Sequence, residues 1–483
     1  MTQFISTIKI ISLSVLLLTM LSFEVNAQQT ISLQQAVDST IKNNLTIKQA
    51  VITEALAKED YQQSKYNQLP NLFVTPSGGY NFGRNPVAGQ YAYVNKSTFS
   101  VNGSSSLQVT LYQGGQLHNQ ILQNRLLLDV DKTTTEKIKN DLLLNVVTDY
   151  LVILTDQDLV IAAQQQIDLA KITLDRTQKN FDAGNQNRAD LAQAQAQLST
   201  AELNLTNAQN QVDLAVLILK QYMEMDPSKQ IIVEKPDISK LTNVRTIYNA
   251  TEVIKTAFVV NPDIKLAELQ QQTYAQAIKI AKGNYYPVVT LFGNLQSSYS
   301  NALNAKPIGQ TVPVIVPIGV VPSTGEQVMS LQPVSQTIFS NGYPFGSQFA
   351  DNFNQAIGLS LQIPIFNRFS ARTSVRKAKL NYEYAQVSTQ LAKNTLSKTI
   401  IQAVLDLQAA DKSYQSSLQT FQSNKEALNI TKQRFDAGLV NTLDYNTSLT
   451  NFNKSQNDMI EAQYQVIFRS KVIDYYVGNP ITL

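Results

Sequence analysis

The sequence Phe-Asp-Ala-Gly occurs twice, at residues 181–184 and 435–438, and each copy lies between two long segments of helical composition. An Asp follows each glycine by six positions, at Asp190 and at Asp444. Glycine readily adopts the left-handed conformation that ends a helix, and an Asp in the first turn of the next helix favours the positive end of its dipole. The pattern therefore predicts two antiparallel helical hairpins with the same tip sequence.

The rest of the chain repeats in the same order. Residues 44–50 (Asn-Leu-Thr-Ile-Lys-Gln-Ala) align with residues 261–267 (Asn-Pro-Asp-Ile-Lys-Leu-Ala) at an offset of 217, whereas the tips align at an offset of 254. The difference gives the second half 37 additional residues, located between Pro287 and Ile365. Two halves in one order with a single insertion predict a duplicated unit.

The hairpins are predicted to have one very long helix each. Residues 116–180 contain neither proline nor glycine, and residues 370–437 are equally uninterrupted. These segments are several times longer than the average globular helix of about 11–12 residues. Shorter return helices are predicted over 187–225 and 442–477, and shorter helices again over 31–66, with a break near Asn44, and over 263–285.

Two pairs of β-strands are predicted, over about 72–112 and about 288–366, because apolar and polar residues alternate there. Phe73 and Phe292 interrupt the alternation. One apolar and one polar face fit a transmembrane barrel, with lipid outside and water inside, and equally fit a soluble sandwich. A closed barrel needs about eight strands, so four strands in a membrane would require several chains to share one barrel.

The organisation predicted from these patterns is a signal peptide (1–27), a first repeat (28–226), a linking segment (227–251) and a second repeat (252–483). The insertion lies within a long loop over 301–351. Six prolines in that loop favour extended structure over helix.

The N-terminus predicts export. Lys9 precedes an apolar run over 10–21, and Val-Asn-Ala at 25–27 suits signal peptidase. The chain has no Cys, which excludes disulfides, thiolate metal sites and a lipidated N-terminal Cys. The net charge is only +3 and the charges are scattered, so the sequence predicts no nucleic-acid partner.

The sequence offers no constellation for catalysis. His118 is the single histidine, which is too few for a two-histidine metal site or an acid–base pair, and we assign it a structural role. No phosphate-binding loop is present, so energy must come from a partner. We expect no enzyme activity, no cofactor and no metal.

With these features the chain resembles the TolC family of outer-membrane efflux proteins. The resemblance rests on the opening Leu33-x-x-Ala36 with Asn44, on Asn261-Pro262, and on both tips with an Asp six residues on. It covers essentially the whole mature chain, and the doubled order of helix, strand hairpin, long helix and return helix is more specific than any single motif.

The resemblance implies a mainly α fold with a transmembrane β part, in which a helix–β-hairpin–long helical hairpin unit is duplicated. It implies a homotrimer with a trimeric α-barrel tunnel in the periplasm and a shared 12-stranded β-barrel in outer-membrane lipid. It further implies two partners, a periplasmic membrane-fusion adaptor and an inner-membrane pump of the RND, ABC or a similar type.

The resemblance also implies that the hairpin tips meet the adaptor and constrict the periplasmic aperture. Asp444 falls where the family can place an aperture-lining carboxylate, and Asp190 is its equivalent in the first repeat. A plain helix-stabilising role for both Asp residues stays open. The candidate tip residues are Phe181, Gly184, Asp190, Phe435, Gly438, Val440 and Asp444.

Three positions depart from the family's gate. Val440 stands where a gating Arg can occur, Phe435 where a Tyr can occur, and Thr447 where a second aperture Asp can occur. We therefore do not expect the same ionic links to latch the gate of this chain.

The function expected from the sequence is a passive exit duct in the outer membrane of a Gram-negative bacterium, serving a tripartite efflux pump or a type I secretion system. The alternative is a periplasmic coiled-coil adaptor or scaffold without a pore. Two hairpins per chain and two amphipathic strand pairs favour the duct.

Overall fold

The structure is a computed structural model that describes residues 29–86, 93–235, 247–340 and 342–479. The predicted signal peptide and residues 236–246 of the predicted linking segment lie outside the described residues. The chain forms two compact units. The first contains the described residues up to Lys58 together with Leu126–Thr273 and the chain from Tyr382 onwards, and the second contains Glu59–Arg125 and Tyr274–Asn381.

Helices dominate the first unit, and several continue into the second. None of the helices within the described ranges is both long and apolar enough to cross a membrane. In chain order the helices are α1 (Leu33–Asn43), α2 (Leu45–Tyr66), α3 (Gln116–Asp182), α4 (Arg188–Tyr222), α5 (Ala250–Val260), α6 (Pro262–Gly283), α7 (Phe345–Asp351), α8 (Ser370–Asp436) and α9 (Thr442–Val477).

The predicted long helices and return helices are present at the expected positions. Helices α3 and α8 have 67 residues each, and the return helices α4 and α9 have 35 and 36. Both long helices end two residues before the tip glycine. Absence of proline and glycine was therefore a sufficient signal for these elements.

A buried asparagine separates the two short helices in each repeat. Asn44 lies between α1 and α2, and its Oδ1 accepts hydrogen bonds from the backbone N–H of Thr46 (2.9 Å) and of Ile47 (3.3 Å). Asn261 lies between α5 and α6, and its Oδ1 accepts one from the N–H of Asp263 (2.8 Å). The two side chains cap equivalent helices, which explains the repeated Asn in the sequence.

One part of the predicted first helix is wrong. Ile31 belongs to the strand β1 (Gln29–Ile31), which pairs in parallel with β6 (Ile231–Val233). Ser32 then starts α1 with a capping box shared with Gln35, because its hydroxyl accepts from the Gln35 N–H and the Gln35 side chain accepts from the Ser32 N–H. Helical periodicity alone did not reveal this strand.

The first unit has two main apolar cores among the described residues, and α9 contributes to both. The first core joins α1, α3, α4, α9 and the β1–β6 pair, and Tyr150, Leu154 and Leu219 are almost fully buried in it. The Tyr150 hydroxyl donates to the Glu234 carbonyl (2.6 Å) and so fastens β6 to α3. The second core joins α5, α6, α8 and α9 around Ile400.

The second unit contains one four-stranded antiparallel sheet in the order β12–β7–β5–β2. Its strands are β2 (Asn71–Asn81), β5 (Thr98–Gln113), β7 (Val288–Ser300) and β12 (Asn354–Gln362). The outer strands β2 and β12 have no neighbour on their free edges within the described residues. Each repeat thus supplies two adjacent strands, as the duplication predicts.

The register of the sheet separates an aliphatic face from a polar face. Paired residues such as Leu72 with Leu107 and Leu359 with Leu291 share the first face, and Thr75 with Ser104 shares the second. The aliphatic face carries Leu72, Val74, Leu107, Val109, Leu291, Leu295, Ile357, Leu359 and Leu361. The polar face carries mainly Thr75, Ser77, Asn102, Ser104, Ser106, Gln108, Thr290, Asn294, Gln296 and Ser360.

Phe292, one of the two exceptions to the alternation, has a packing reason. Phe292 lies on the polar face directly across from Gly358, and a Cβ at Gly358 would stand 2.8 Å from its ring. The ring therefore covers a glycine on the neighbouring strand. Phe73, the other exception, is 59% exposed, and its cross-strand partner is Ser106.

The insertion folds mostly as extended structure, with one exception. It contains two antiparallel pairs, β8 with β11 and β9 with β10, and β3 (Arg84–Pro86) with β4 (Tyr93–Asn95) forms a similar pair in the first repeat. The insertion strands are β8 (Pro307–Val314), β9 (Pro317–Val320), β10 (Gln327–Met329) and β11 (Val334–Phe339). The prediction of no helix was wrong at α7. Pro344 immediately precedes this helix, and a proline at the start of a helix does not interrupt it.

Candidate functional site

The two hairpin tips close with the same backbone geometry. Gly184 has φ +79° and Gly438 has φ +73°. The N–H of Asn185 donates to the carbonyl of Asn180 (2.9 Å), and the N–H of Leu439 donates to that of Arg434 (2.8 Å). A 6→1 backbone hydrogen bond around a glycine in the left-handed conformation is the Schellman motif, which ends a helix. The predicted reversal at each glycine is confirmed.

Each return helix begins at an asparagine cap. The side-chain Oδ1 of Asn187 accepts from the N–H of Asp190 (2.9 Å), and that of Asn441 accepts from the N–H of Asp444 (2.8 Å). Both Asp residues therefore lie in the first helical turn, as predicted, and Asp444 is the more exposed of the two. Their predicted position at an aperture stays a prediction.

The second tip is packed more tightly than the first. Phe435 is 7% exposed, and its ring stacks on Tyr445 with centroids 4.9 Å apart. Val440 and Leu169 of α3 pack against the same pair. Phe435 and Val440, two of the three departures from the family's gate, are thus apolar packing contacts. Thr447, the third, is exposed and donates to the carbonyl of Leu443.

An arginine that sequence reasoning missed joins the two hairpins. Arg176 of α3 forms an ion pair with Asp436, the Asp of the second Phe-Asp-Ala-Gly motif. Its guanidinium also donates to the carbonyl of Phe435 (3.2 Å) and lies 4.6 Å from the centroid of that ring. The equivalent of Arg176 in the second repeat, at the offset of 254, is Ile430. The contact therefore has no counterpart in the other half.

A second polar contact lies at the tips themselves. The side chain of Gln186 donates to the hydroxyl of Thr442 (3.1 Å), so the first tip touches the start of α9. Thr442 is almost completely buried. Together with Arg176, this bond adds polar contacts between the two hairpins near their tips.

Away from the tips, the hairpins meet along a polar groove of about 420 Å³ between α3, α4 and α9. Its lining includes Gln166, Asn204, Asn453 and Asn457. Among the described residues, the Nε2 of Gln166 and the side-chain oxygens of both Asn453 and Asn457 are buried without a hydrogen-bond partner. Separation of the hairpins here would expose polar atoms and would therefore cost little apolar burial.

A buried carboxyl lies further along α3. Asp149 is 9% exposed, and its Oδ2 has no hydrogen-bond partner among the described residues. Burial raises the pKa of Asp149 to about 7, and the negative charge of Asp156 acts in the same direction. This carboxyl changes its protonation state near neutral pH.

Comparison with known proteins identifies the fold class. Residues 36–223 and 253–478 match the sequence model of the outer membrane efflux protein family. None of the curated protein sequences matches the chain.

Several solved structures share the fold over nearly the whole chain. One is the outer membrane protein VceC of Vibrio cholerae, with a TM-score of 0.72 and 14% identity over 93% of this chain and 97% of that one. Another is the outer membrane channel CmeC of Campylobacter jejuni, with a TM-score of 0.72 and 17% identity over 92% and 85%. A third is the outer membrane channel MtrE of Neisseria gonorrhoeae in its open state, with a TM-score of 0.66 and 17% identity over 93% and 89%.

The fold is thus that of the outer-membrane channels. Because the family match covers most of its length in two stretches, the chain belongs to the outer membrane efflux protein family. The predicted resemblance and the duplicated, mainly helical fold with strands are confirmed, and the protein is an outer-membrane exit duct for efflux pumps. The alternative of a pore-free periplasmic scaffold has no support.

Proposed function

We propose that three copies of the chain form one channel, in which each contributes its four-stranded sheet to a shared 12-stranded β-barrel in the outer membrane. The observation that carries this proposal is a sheet with one aliphatic face, one polar face and two free edges, β2 and β12. Free edges are not tolerated in lipid, because the unpaired N–H and carbonyl groups find no water there.

The two faces of the sheet support the orientation within the barrel. Large aliphatic side chains such as Val74, Ile357 and Leu359 are between 66% and 81% exposed in the single chain. Lipid is the environment that can cover them without a protein partner. The serine, threonine and asparagine face then lines a water-filled interior through which cargo leaves.

The duct is further proposed to open at the hairpin tips. The tips with Gly184 and Gly438 meet a periplasmic membrane-fusion adaptor, and an inner-membrane pump supplies the energy. Asp190 and Asp444 line the entrance, and the contact of Arg176 with Asp436 and Phe435 holds the two hairpins of each copy together in the closed state. Transport involves no covalent chemistry.

Disulfide trapping tests the shared barrel, because the chain has no native cysteine. One cysteine replaces Ser360 in β12, and in a series of variants a second cysteine replaces successive residues of β2. Within one chain these strands are three interstrand spacings apart, about 14 Å, which exceeds the reach of a disulfide. We expect crosslinked species that end at the trimer. A matched pair with the second cysteine at Val328, in the exposed β9–β10 hairpin, should give none.

Planar-bilayer conductance of the purified protein, with its mass determined on the same sample, provides the functional measurement. Discrete channels from a trimer are the expected result. A monomer without conductance, which also gives no β2–β12 crosslinks in membranes, would overturn the proposal.

A further inference from the structure

The helix α7 of the insertion lies on the aliphatic face of the sheet. The backbone carbonyl of Phe349 accepts a hydrogen bond from the hydroxyl of Ser297 (2.5 Å), and a Cβ at Gly103 would stand 3.0 Å from the Phe349 ring. Ser297 and Gly103 are a cross-strand pair in the same alternating series as Leu295 and Leu107. The insertion therefore places its helix on the face opposite the polar one.

A buried glutamine fixes α7 at this position. Gln348 is completely buried, and its Oε1 accepts from the N–H of Ser300 (2.9 Å). Its Nε2 faces the carbonyls of Ser300, Leu303 and Tyr343 at 2.8–3.0 Å. Asn352 adds a bond from its Nδ2 to the carbonyl of Ser298 (2.7 Å). These bonds join the strand, the following loop and α7 into one fixed element.

The helix continues a row of aromatic rings that crosses three strands. Successive ring centroids are 4.7–6.5 Å apart along the row, and the two rings of α7 stack at 5.3 Å. The row runs through Phe82, Tyr80, Phe99, Tyr299, Phe345 and Phe349. Phe345, the first of the two α7 rings in the row, is 50% exposed.

The row lies at the height where an apolar band of a membrane barrel ends. Ten residues of β7 separate Val289, at the start of the aliphatic face, from Tyr299 in the row. That distance is about 33 Å along the strand, or about 25 Å along the membrane normal for the usual strand tilt, which equals the height of a barrel's apolar band. Aromatic side chains concentrate at such boundaries, because one part of the ring is apolar and its edge tolerates water.

The charges beside α7 are compensated. Asp351, at the end of the helix, pairs with Lys306 and accepts a hydrogen bond from the Tyr343 hydroxyl (3.1 Å). The helix contains no other charged residue. A short helix with an aromatic face and a neutralised end can enter the boundary region of a bilayer without placing a lone charge there.

We propose that α7 is an interfacial membrane element, whose exposed ring Phe345 contacts lipid acyl chains just below the headgroups of the outer leaflet. This inference rests on the proposed barrel. It assigns α7 to the outer wall of the barrel instead of to a plug across the duct, and its ligand is a lipid surface.

Tryptophan fluorescence tests the proposal, because the chain has no native tryptophan. Three single-tryptophan variants are reconstituted as the intact channel in liposomes that contain lipids brominated either near the headgroup or near the chain end. Phe345→Trp reports on α7, Leu359→Trp on the middle of the aliphatic face, and Leu331→Trp on a fully exposed loop.

We expect the Phe345→Trp emission to be shifted to shorter wavelength than that of Leu331→Trp and quenched several-fold more by the shallow bromines than by the deep ones. Leu359→Trp should be quenched most by the deep bromines. If Leu359→Trp is quenched and Phe345→Trp behaves like Leu331→Trp, the interfacial role of α7 is wrong while the barrel stands. If neither is quenched, the barrel and the inference built on it both fail.

Discussion

Arg176 and Asp436 form an ion pair between the two helical hairpins, and the same guanidinium covers the ring of Phe435 at 4.6 Å. The pair is partly exposed, so its charge interaction is worth about 1 kcal/mol or less. The cation–π contact adds about 0.5–1 kcal/mol. A total of about 0.5–2 kcal/mol changes the ratio of separated to joined hairpins by roughly 2- to 30-fold.

We therefore predict that Arg176→Ala increases the open fraction of single channels in bilayers by roughly 2- to 30-fold, the ratio that corresponds to about 0.5–2 kcal/mol. Asp436→Asn should have a smaller effect in the same direction, because it leaves the cation–π contact intact. The matched control is Asp182→Asn at the equivalent position of the first tip, where, among the described residues, the carboxylate accepts a side-chain hydrogen bond from Gln178 of its own helix alone. Equal open fractions for Arg176→Ala and the wild type would show that the pair does not hold the hairpins together.

A second prediction separates charge from helix capping at the entrance. Asp444→Asn should reduce the cation selectivity of the channel several-fold, since three copies would remove a ring of three charges from a constriction. Asn441→Ala removes the cap of the same helix turn and should lower stability by about 1 kcal/mol without changing selectivity. If both variants conduct with unchanged selectivity, Asp444 serves only to stabilise α9.

The tip glycines give a third prediction, about adaptor engagement. No described residue lies within 4 Å of a Cβ built at Gly184 or Gly438, so the expected cost of a larger side chain comes from the positive φ. A β-branched residue there should cost about 1–2 kcal/mol and distort the turn. We expect Gly438→Val to weaken binding of the adaptor and lower efflux while trimers persist on native gels. Normal efflux in that variant would remove the assigned role of the tip, and Gly184→Val tests the first hairpin in the same way.

The buried carboxyl of Asp149 gives a pH dependence. Its pKa is about 7 in the folded chain against an ordinary 3.8, so the folded state binds more protons between these values, and stability falls as pH rises through that window. At about 1.4 kcal/mol per pH unit, the loss is at most about 4 kcal/mol. At pH values above neutral, Asp149→Asn should raise the midpoint temperature of thermal unfolding. The variant should also show a weaker dependence of that midpoint on pH. Asp168→Asn, an exposed position of the same helix, serves as the control and should leave the pH profile unchanged.

Sequence patterns were sufficient where one residue type determines local geometry. The repeated Gly184 and Gly438 predicted both tips, and uninterrupted helical composition predicted α3 and α8. Alternation predicted the four strands, and only knowledge of the register explains why Phe292 faces the polar side, since it covers Gly358.

Contacts between distant segments could not be predicted in this way. Arg176 lies 260 residues before Asp436, and its equivalent is Ile430, so the repeat itself concealed the pair. Helix α7 follows a proline-rich stretch and is held by Gln348, whose bonds depend on where β7 and the loop run. The buried state of Asp149 likewise depends on tertiary packing.

The two free edges of the sheet have a consequence for how the protein is made. A single chain carries an 11-residue and a 9-residue strand whose outer edges are unpaired within the described residues, next to an aliphatic surface that water does not favour. In the proposed trimer the barrel closes only when a third chain arrives, so completion of the sheet would depend on the local concentration of chains and not on one chain alone. Before that moment, each edge can accept any extended segment it meets. Biogenesis of such a duct should therefore be limited by protection of solitary chains in the periplasm more than by the rate at which their helices form.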